Sequence, residues 1–120
     1  TAAAHALSYP LTIFHGIPHG YACSLTLGNI FKFNFSKDPE DLGKVLALFQ
    51  NYFGTPDSSF HKCFSHFLES CNIPMTLGEF GVTTSDLTQL VDNAFHPDRF
   101  KNMIYTLSES QVRGIYTETL

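Results

Sequence analysis

The chain has 120 residues, 43% hydrophobic and 15% charged, with seven Lys and Arg against eleven Asp and Glu for a net charge of −4. That length fits one domain of ordinary size. Twelve Phe and five Tyr exclude a solvated coil, and the lack of basic excess argues against a nucleic-acid partner.

In chain order, the residues from Thr1 to about Tyr9 are rich in helix-favouring alanine, which places His5 and Tyr9, four apart, on one face. Gly16-Ile17-Pro18 then turns the chain and sets His19 at the head of a second helix near 19–34, with Ala22, Leu25, Ile30 and Phe33 inward and Asn34 as its stop. Asp38 to Tyr52 opens on Asp38, Glu40 and Asp41, which suit a helix N-terminus, and gathers Leu42, Val45, Leu46 and Phe49. The clearest amphipathic run is Ser58 to Cys71, where Phe60, Cys63, Phe64, Phe67, Leu68 and Cys71 form one stripe, with Asp57, Ser58 or Ser59 as cap. Asp86 to Phe95 follows a Thr83-Thr84-Ser85 cap and aligns Leu87, Leu90, Val91 and Ala94. Ser108 with Gln111 reads as a capping box before a last helix that buries Val112 and Ile115. Strand alternation is weak throughout, so the reading is an all-α bundle of five or six short helices, one domain over 1–120.

Three cysteines, Cys23, Cys63 and Cys71, without a CxxC pair argue against a disulfide framework and for a reducing, cytoplasmic setting. No apolar run reaches the roughly 20 residues of a membrane span, and Thr1 to His5 lacks the pattern of a signal peptide. The charged fraction is low against a usual value of about 25%, which predicts that part of the surface is covered by another domain or a second copy.

Six histidines are present: His5, His15, His19, His61, His66 and His96. A helix N-terminus favours the neutral imidazole at His19, the form that binds a divalent cation. His5 and His19, from separate helix ends, can converge on one ion, though catalytic sites usually have three or four protein ligands. The bland reading is that both are surface or packed histidines. His15 reads as a turn residue, His61 and His66 as solvated, and His96 as a C-terminal cap of the preceding helix. Cys63 and Cys71 read as small core residues. Ser8 and Cys23 lack the base that a nucleophile requires.

His5, Pro10, Leu11, Pro18, His19 and Gly20 together spell His-x3-Tyr-Pro-Leu-x6-Pro-His-Gly. This resembles the C-terminal helical region of iron-containing (group III) alcohol dehydrogenases, in which the first and last His of the segment bind metal. Ile73 to Thr83, His96-Pro97-Asp98-Arg99 and Leu107 to Val112 resemble later family passages, so the likeness covers essentially the whole chain. The HALSYPLT and GIPHG wording is most similar to the phosphonoacetaldehyde or hydroxyethylphosphonate dehydrogenase-like branch. The resemblance implies NAD(P)-linked oxidation of a small alcohol, or reduction of an aldehyde, at a divalent metal, Fe2+ or Zn2+, with His5 and His19 as two ligands. It implies that the other ligands, an Asp and a His in a D-x3-H arrangement, and the nucleotide-binding domain lie upstream, so this chain alone would be inactive. Tyr9 stands where many members have a proton-relay His; tyrosine can donate a hydrogen bond there but exchanges protons less readily near neutrality. The alternative is a stand-alone helical binding or oligomerisation module descended from such an enzyme, with His5 and His19 bridging a metal between copies.

Overall fold

A computed structural model describes residues 3–53, 56 and 58–120, and every regular element among them is helical. Six α-helices follow in order: α1 Ala3–His15, α2 His19–Phe35, α3 Pro39–Phe53, α4 Phe60–Ser70, α5 Leu87–Ala94 and α6 Glu109–Thr119. Short 3-10 turns at Gly78–Phe80, Thr84–Asp86 and Pro97–Phe100 join the later helices. Thr1 as a helix start and Asp57 as a cap lie outside the described residues.

The principal core is built where α1 packs on α2 and α5 and where α6 packs on α2 and α5. Leu7, Leu11, Ile17, Leu77, Leu90, Val91, Phe100, Val112 and Tyr116 are all fully buried there. A second cluster of Phe60, Phe64 and Leu68 packs with Phe31, Leu46 and Phe49, which ties α4 to α2 and α3. Gly28 allows the α2–α4 approach, because a Cβ there would stand 3.1 Å from His61 Nδ1. The expected caps are present. Ser59 accepts from the Lys62 N–H at 3.4 Å, and Ser108 and Gln111 exchange side-chain and backbone bonds at 2.8 and 3.3 Å.

Three expectations are corrected. The first helix does not stop near Tyr9 but passes through Pro10 to His15. Pro10 has no N–H for the Ala6 carbonyl and its ring crowds that carbonyl, yet Pro10 is buried among core residues whose packing outweighs the lost bond. One position on, the Leu7 carbonyl accepts the Tyr116 hydroxyl at 2.7 Å, a buried bond between α1 and α6. His15 consequently belongs to the last turn of α1 and is half-buried rather than a loop residue. Cys71 is exposed, since it forms the C-cap of α4. There the chain turns away through Asn72 at φ 54, with Ile73 N bonded back to Leu68 O at 3.0 Å. Cys63 is buried, as its place on the stripe requires.

Candidate metal centre

The site is made by the short connection between α1 and α2. Gly16 adopts φ 65, a left-handed conformation that a side chain would strain. Its N–H reaches the Thr12 carbonyl at 3.1 Å, while the buried Ile17 bonds Leu11 O at 3.4 Å and pins the turn to the core. The first turn of α2 therefore lies beside the first turns of α1. The rings of His5 and His19 sit with centroids 5.3 Å apart at 53°.

Cys23, one helical turn beyond His19, joins them. One donor atom from each of His5, His19 and Cys23 can be chosen so that all lie within 4.8 Å of one another. A four-coordinate ion with bonds of about 2.0–2.3 Å separates its ligand atoms by about 3.3–3.8 Å, so small side-chain rotations suffice. Two imidazoles and a thiol are a donor set suited to a divalent transition metal, and the residues present thus fit such an ion. Among the described residues no carboxylate joins this group. His19 is exposed and His5 and Cys23 are half-buried, so the centre opens to the surface.

Ser8 orders the pair. Its side chain is fully buried, and its hydroxyl donates to the His5 carbonyl at 2.8 Å. With its one proton committed there, Ser8 Oγ acts as acceptor for His19 Nδ1–H at 3.2 Å. That assigns His19 the tautomer whose Nε2 carries a free lone pair. Nε2 is the ring nitrogen that lies 3.7 Å from Cys23 Sγ.

Tyr9 is 42% exposed and stacks on His19, with centroids 6.1 Å apart at 22°. Above the other ring, the guanidinium carbon of Arg99 stands 5.4 Å from the Tyr9 centroid. Arg99 Nη1 also donates to the Asn93 carbonyl at 2.9 Å. Arg99, not His96, is therefore the cation that reaches the last turn of α5. His96 turns outward, its Nδ1 4.0 Å from Asp98 Oδ2. His61 and His66 are exposed on α4, as their place off its stripe implies. Near the end of α1, Asp86 accepts from the Thr83 N–H and hydroxyl, both at 2.8 Å, which holds its carboxyl below the usual carboxylate range.

His5, Tyr9 and His19 are thus brought together by the structure. Sequence reasoning gives Cys23 and Ser8 no role for want of a nucleophile's partners, although the i, i+4 spacing of His19 and Cys23 places both on one face of a helix. Arg99 stood in a recognisable passage without a role.

Residues 1–120 match the family model described as Fe-containing alcohol dehydrogenase family, C-terminal. The chain belongs to that family. A phosphonoacetaldehyde reductase of Streptomyces viridochromogenes is 41% identical over 51 residues, which cover 38% of this chain and 13% of that protein. Among solved structures, a 1,3-propanediol oxidoreductase superposes over 99% of this chain with a TM-score of 0.80 at 16% identity. An Oenococcus oeni alcohol dehydrogenase gives 0.81 at 20% identity over 99% of the chain. The sulfoacetaldehyde reductase of Bifidobacterium kashiwanohense, solved with NAD+, gives 0.75 at 24%, again over 99%. The chain spans about a third of each of these structures, 32%, 32% and 31% respectively. The likeness to them establishes the all-helical fold.

Proposed function

We propose, with that membership as premise, that residues 1–120 are one helical domain, the metal-binding C-terminal part of a larger NAD(P)-dependent alcohol dehydrogenase or aldehyde reductase. Its nucleotide-binding domain, and the remaining metal ligands, lie upstream. The observation that supports this most is the convergence of His5 and His19, their ring centroids 5.3 Å apart, at the spacing of the family signature.

His5 and His19 hold a divalent cation, Fe2+ or Zn2+, through ring nitrogens, and Ser8 keeps the His19 Nε2 lone pair free to do so. When bound, that cation supplies Lewis-acid polarisation of the substrate oxygen, while NAD(P), held mainly by the upstream domain, exchanges hydride with the adjacent carbon. Tyr9 lines the approach to His19 and can donate a hydrogen bond to the substrate. The substrate is a small alcohol or aldehyde. An open cluster of this kind is incomplete for catalysis, so the isolated chain has no dehydrogenase activity. Exposed Ile13 and Phe14, 71% and 42% accessible on the same helix as His5, suit coverage by the upstream domain.

In the full-length protein, His5→Ala and His19→Ala should each lose most of the bound metal and the NAD(P)-dependent turnover, with helical content retained. Unchanged metal content in both variants overturns the ligand assignment. The same exposed apolar residues favour a second reading, a self-associating stand-alone module. Sedimentation equilibrium of the naturally produced polypeptide separates the two, since a module of this length would run as an oligomer of a 13.4 kDa chain.

A further inference from the structure

We propose that Cys23 is a further metal ligand of this chain, so that His5, His19 and Cys23 together hold a soft divalent cation, Zn2+ in preference to Fe2+. The inference rests on the reading of His5 and His19 as ligands. It departs from the donor set that the family resemblance implies, one Asp and three His, by adding a thiolate.

The donors are spaced as ligands of one ion. Cys23 Sγ lies 3.7 Å from His19 Nε2, inside the about 3.3–3.8 Å that divides two ligand atoms around a four-coordinate ion. With His5 included, the three donor atoms lie within 4.8 Å of one another. Among the described residues no other set of three His, Cys, Asp or Glu donors gathers so closely.

The helix sets part of this arrangement by itself. His19 stands in the first turn of α2 and Cys23 four residues on, so both side chains rise from one face. Ser8 Oγ accepts from His19 Nδ1–H, which leaves the lone pair on Nε2. The ring nitrogen nearest the sulfur is therefore the one able to bind a cation. Cys23 is not committed elsewhere. It is half-buried and belongs to neither hydrophobic cluster, and among the described residues its thiol has His19 Nε2 as its one hydrogen-bond partner.

Two protein ligands are fewer than the three that catalytic zinc centres commonly take, and Cys23 brings this chain to that number. A thiolate is a soft donor that favours Zn2+, whereas imidazole serves Fe2+ and Zn2+ alike. As the sulfur–metal bond forms, the thiol proton passes to solvent. In the metal-free protein the same proton points at His19 Nε2, and the cation replaces it there.

Cobalt tests the bond directly in the full-length protein. Co2+ added to the metal-free form should give a sulfur-to-cobalt charge-transfer band in the near ultraviolet. Cys23→Ser should lose that band while the visible bands of a nitrogen-ligated ion remain. An outer-shell partner typically contributes about 10–100-fold to metal affinity, so loss of a direct ligand should weaken Zn2+ binding about 100-fold or more in chelator competition. Fe2+ binding, measured anaerobically, should fall less. Alkylation of the wild type, read by peptide mass spectrometry, requires no variant: Zn2+ should suppress modification of Cys23 and leave that of exposed Cys71 unchanged. No charge-transfer band in the wild type, a band unchanged in Cys23→Ser, or alkylation of Cys23 indifferent to Zn2+ overturns the assignment. Equal losses of Zn2+ and Fe2+ affinity overturn the zinc preference. If His5→Ala and His19→Ala keep their metal, the underlying reading falls. If they lose it while Cys23→Ser keeps its zinc affinity and its cobalt band, only the role of Cys23 falls.

Discussion

Replacing Tyr116 by Phe isolates one buried hydrogen bond that joins the last helix to the first. The Tyr116 side chain is fully buried, and its hydroxyl donates to the Leu7 carbonyl at 2.7 Å. Burial pushes the ionisation of that hydroxyl well above its ordinary value, so it remains a donor at neutral pH. Tyr116→Phe leaves the ring and its packing in place, and no cavity of consequence forms. The loss is the bond itself, at a carbonyl beside the turn that Pro10 interrupts. A typical bond contributes about 0.5–1.5 kcal/mol, and a buried acceptor left without a partner costs about 1–3 kcal/mol. The expected destabilisation is about 1–2 kcal/mol, read as a lower urea midpoint at unchanged m-value by far-ultraviolet circular dichroism. A loss below about 0.3 kcal/mol would show that water or another donor serves Leu7 equally well. It would refute the account in which this bond ties the last helix to the first.

Two further outcomes follow from hydrogen bonds at and near the site. Ser8→Ala should preserve helix content, since alanine favours helix, yet weaken divalent-metal binding by the full-length protein about 10-fold in chelator competition, because the Ser8 hydroxyl at His19 Nδ1 fixes that ring's tautomer; affinity within twofold of wild type would mean that His19 orders itself. Asp86, whose folded pKa is lowered first by the Thr83 N–H and then by its hydroxyl, contributes stability that is present above the ordinary carboxylate pKa of about 4 and lost as the pH falls through the lowered folded value. Melting curves of wild type and Asp86→Asn should therefore separate at neutral pH and converge under strong acid, and a gap that widened on acidification would contradict that sign.

Much of this fold is written in local patterns. The α4 stripe of Phe60, Cys63, Phe64 and Leu68, the α5 face of Leu87, Leu90, Val91 and Ala94, and the Ser108–Gln111 box all depend on residues three or four apart and stand where periodicity places them. Phe67 and Cys71, at the margin and end of the α4 stripe, are instead exposed. The misreadings share a different cause. Pro10 inside α1, the Tyr116 bond to Leu7 and the reach of Arg99 back to Asn93 are settled by partners that local spacing does not reveal. Local propensity argues for ending a helix at a proline, and tertiary burial overrode it. At the candidate centre the histidine pair was legible only through a family resemblance, since spacing alone could not exclude packed or surface histidines. Ser8 and Cys23 were legible in principle, being one helical turn from His5 and His19.

The register of the whole site depends on the three residues between α1 and α2. His5 and Ser8 share a face of α1, and His19 and Cys23 share a face of α2. Each pair is fixed by its own helix, but their meeting is fixed only by Gly16, Ile17 and Pro18. Each residue advances an α-helix by about 100°, so a single residue added to or removed from that connection would swing His19 away from both His5 and Ser8. Gly16 provides the left-handed conformation, buried Ile17 anchors the turn in the core, and Pro18 occupies the N-cap of α2 at φ −53. A chain selected merely to pack two helices could vary such a loop. The tight, anchored connection here holds a single register, and it explains why His19 emerges in the first turn of α2 beside Ser8.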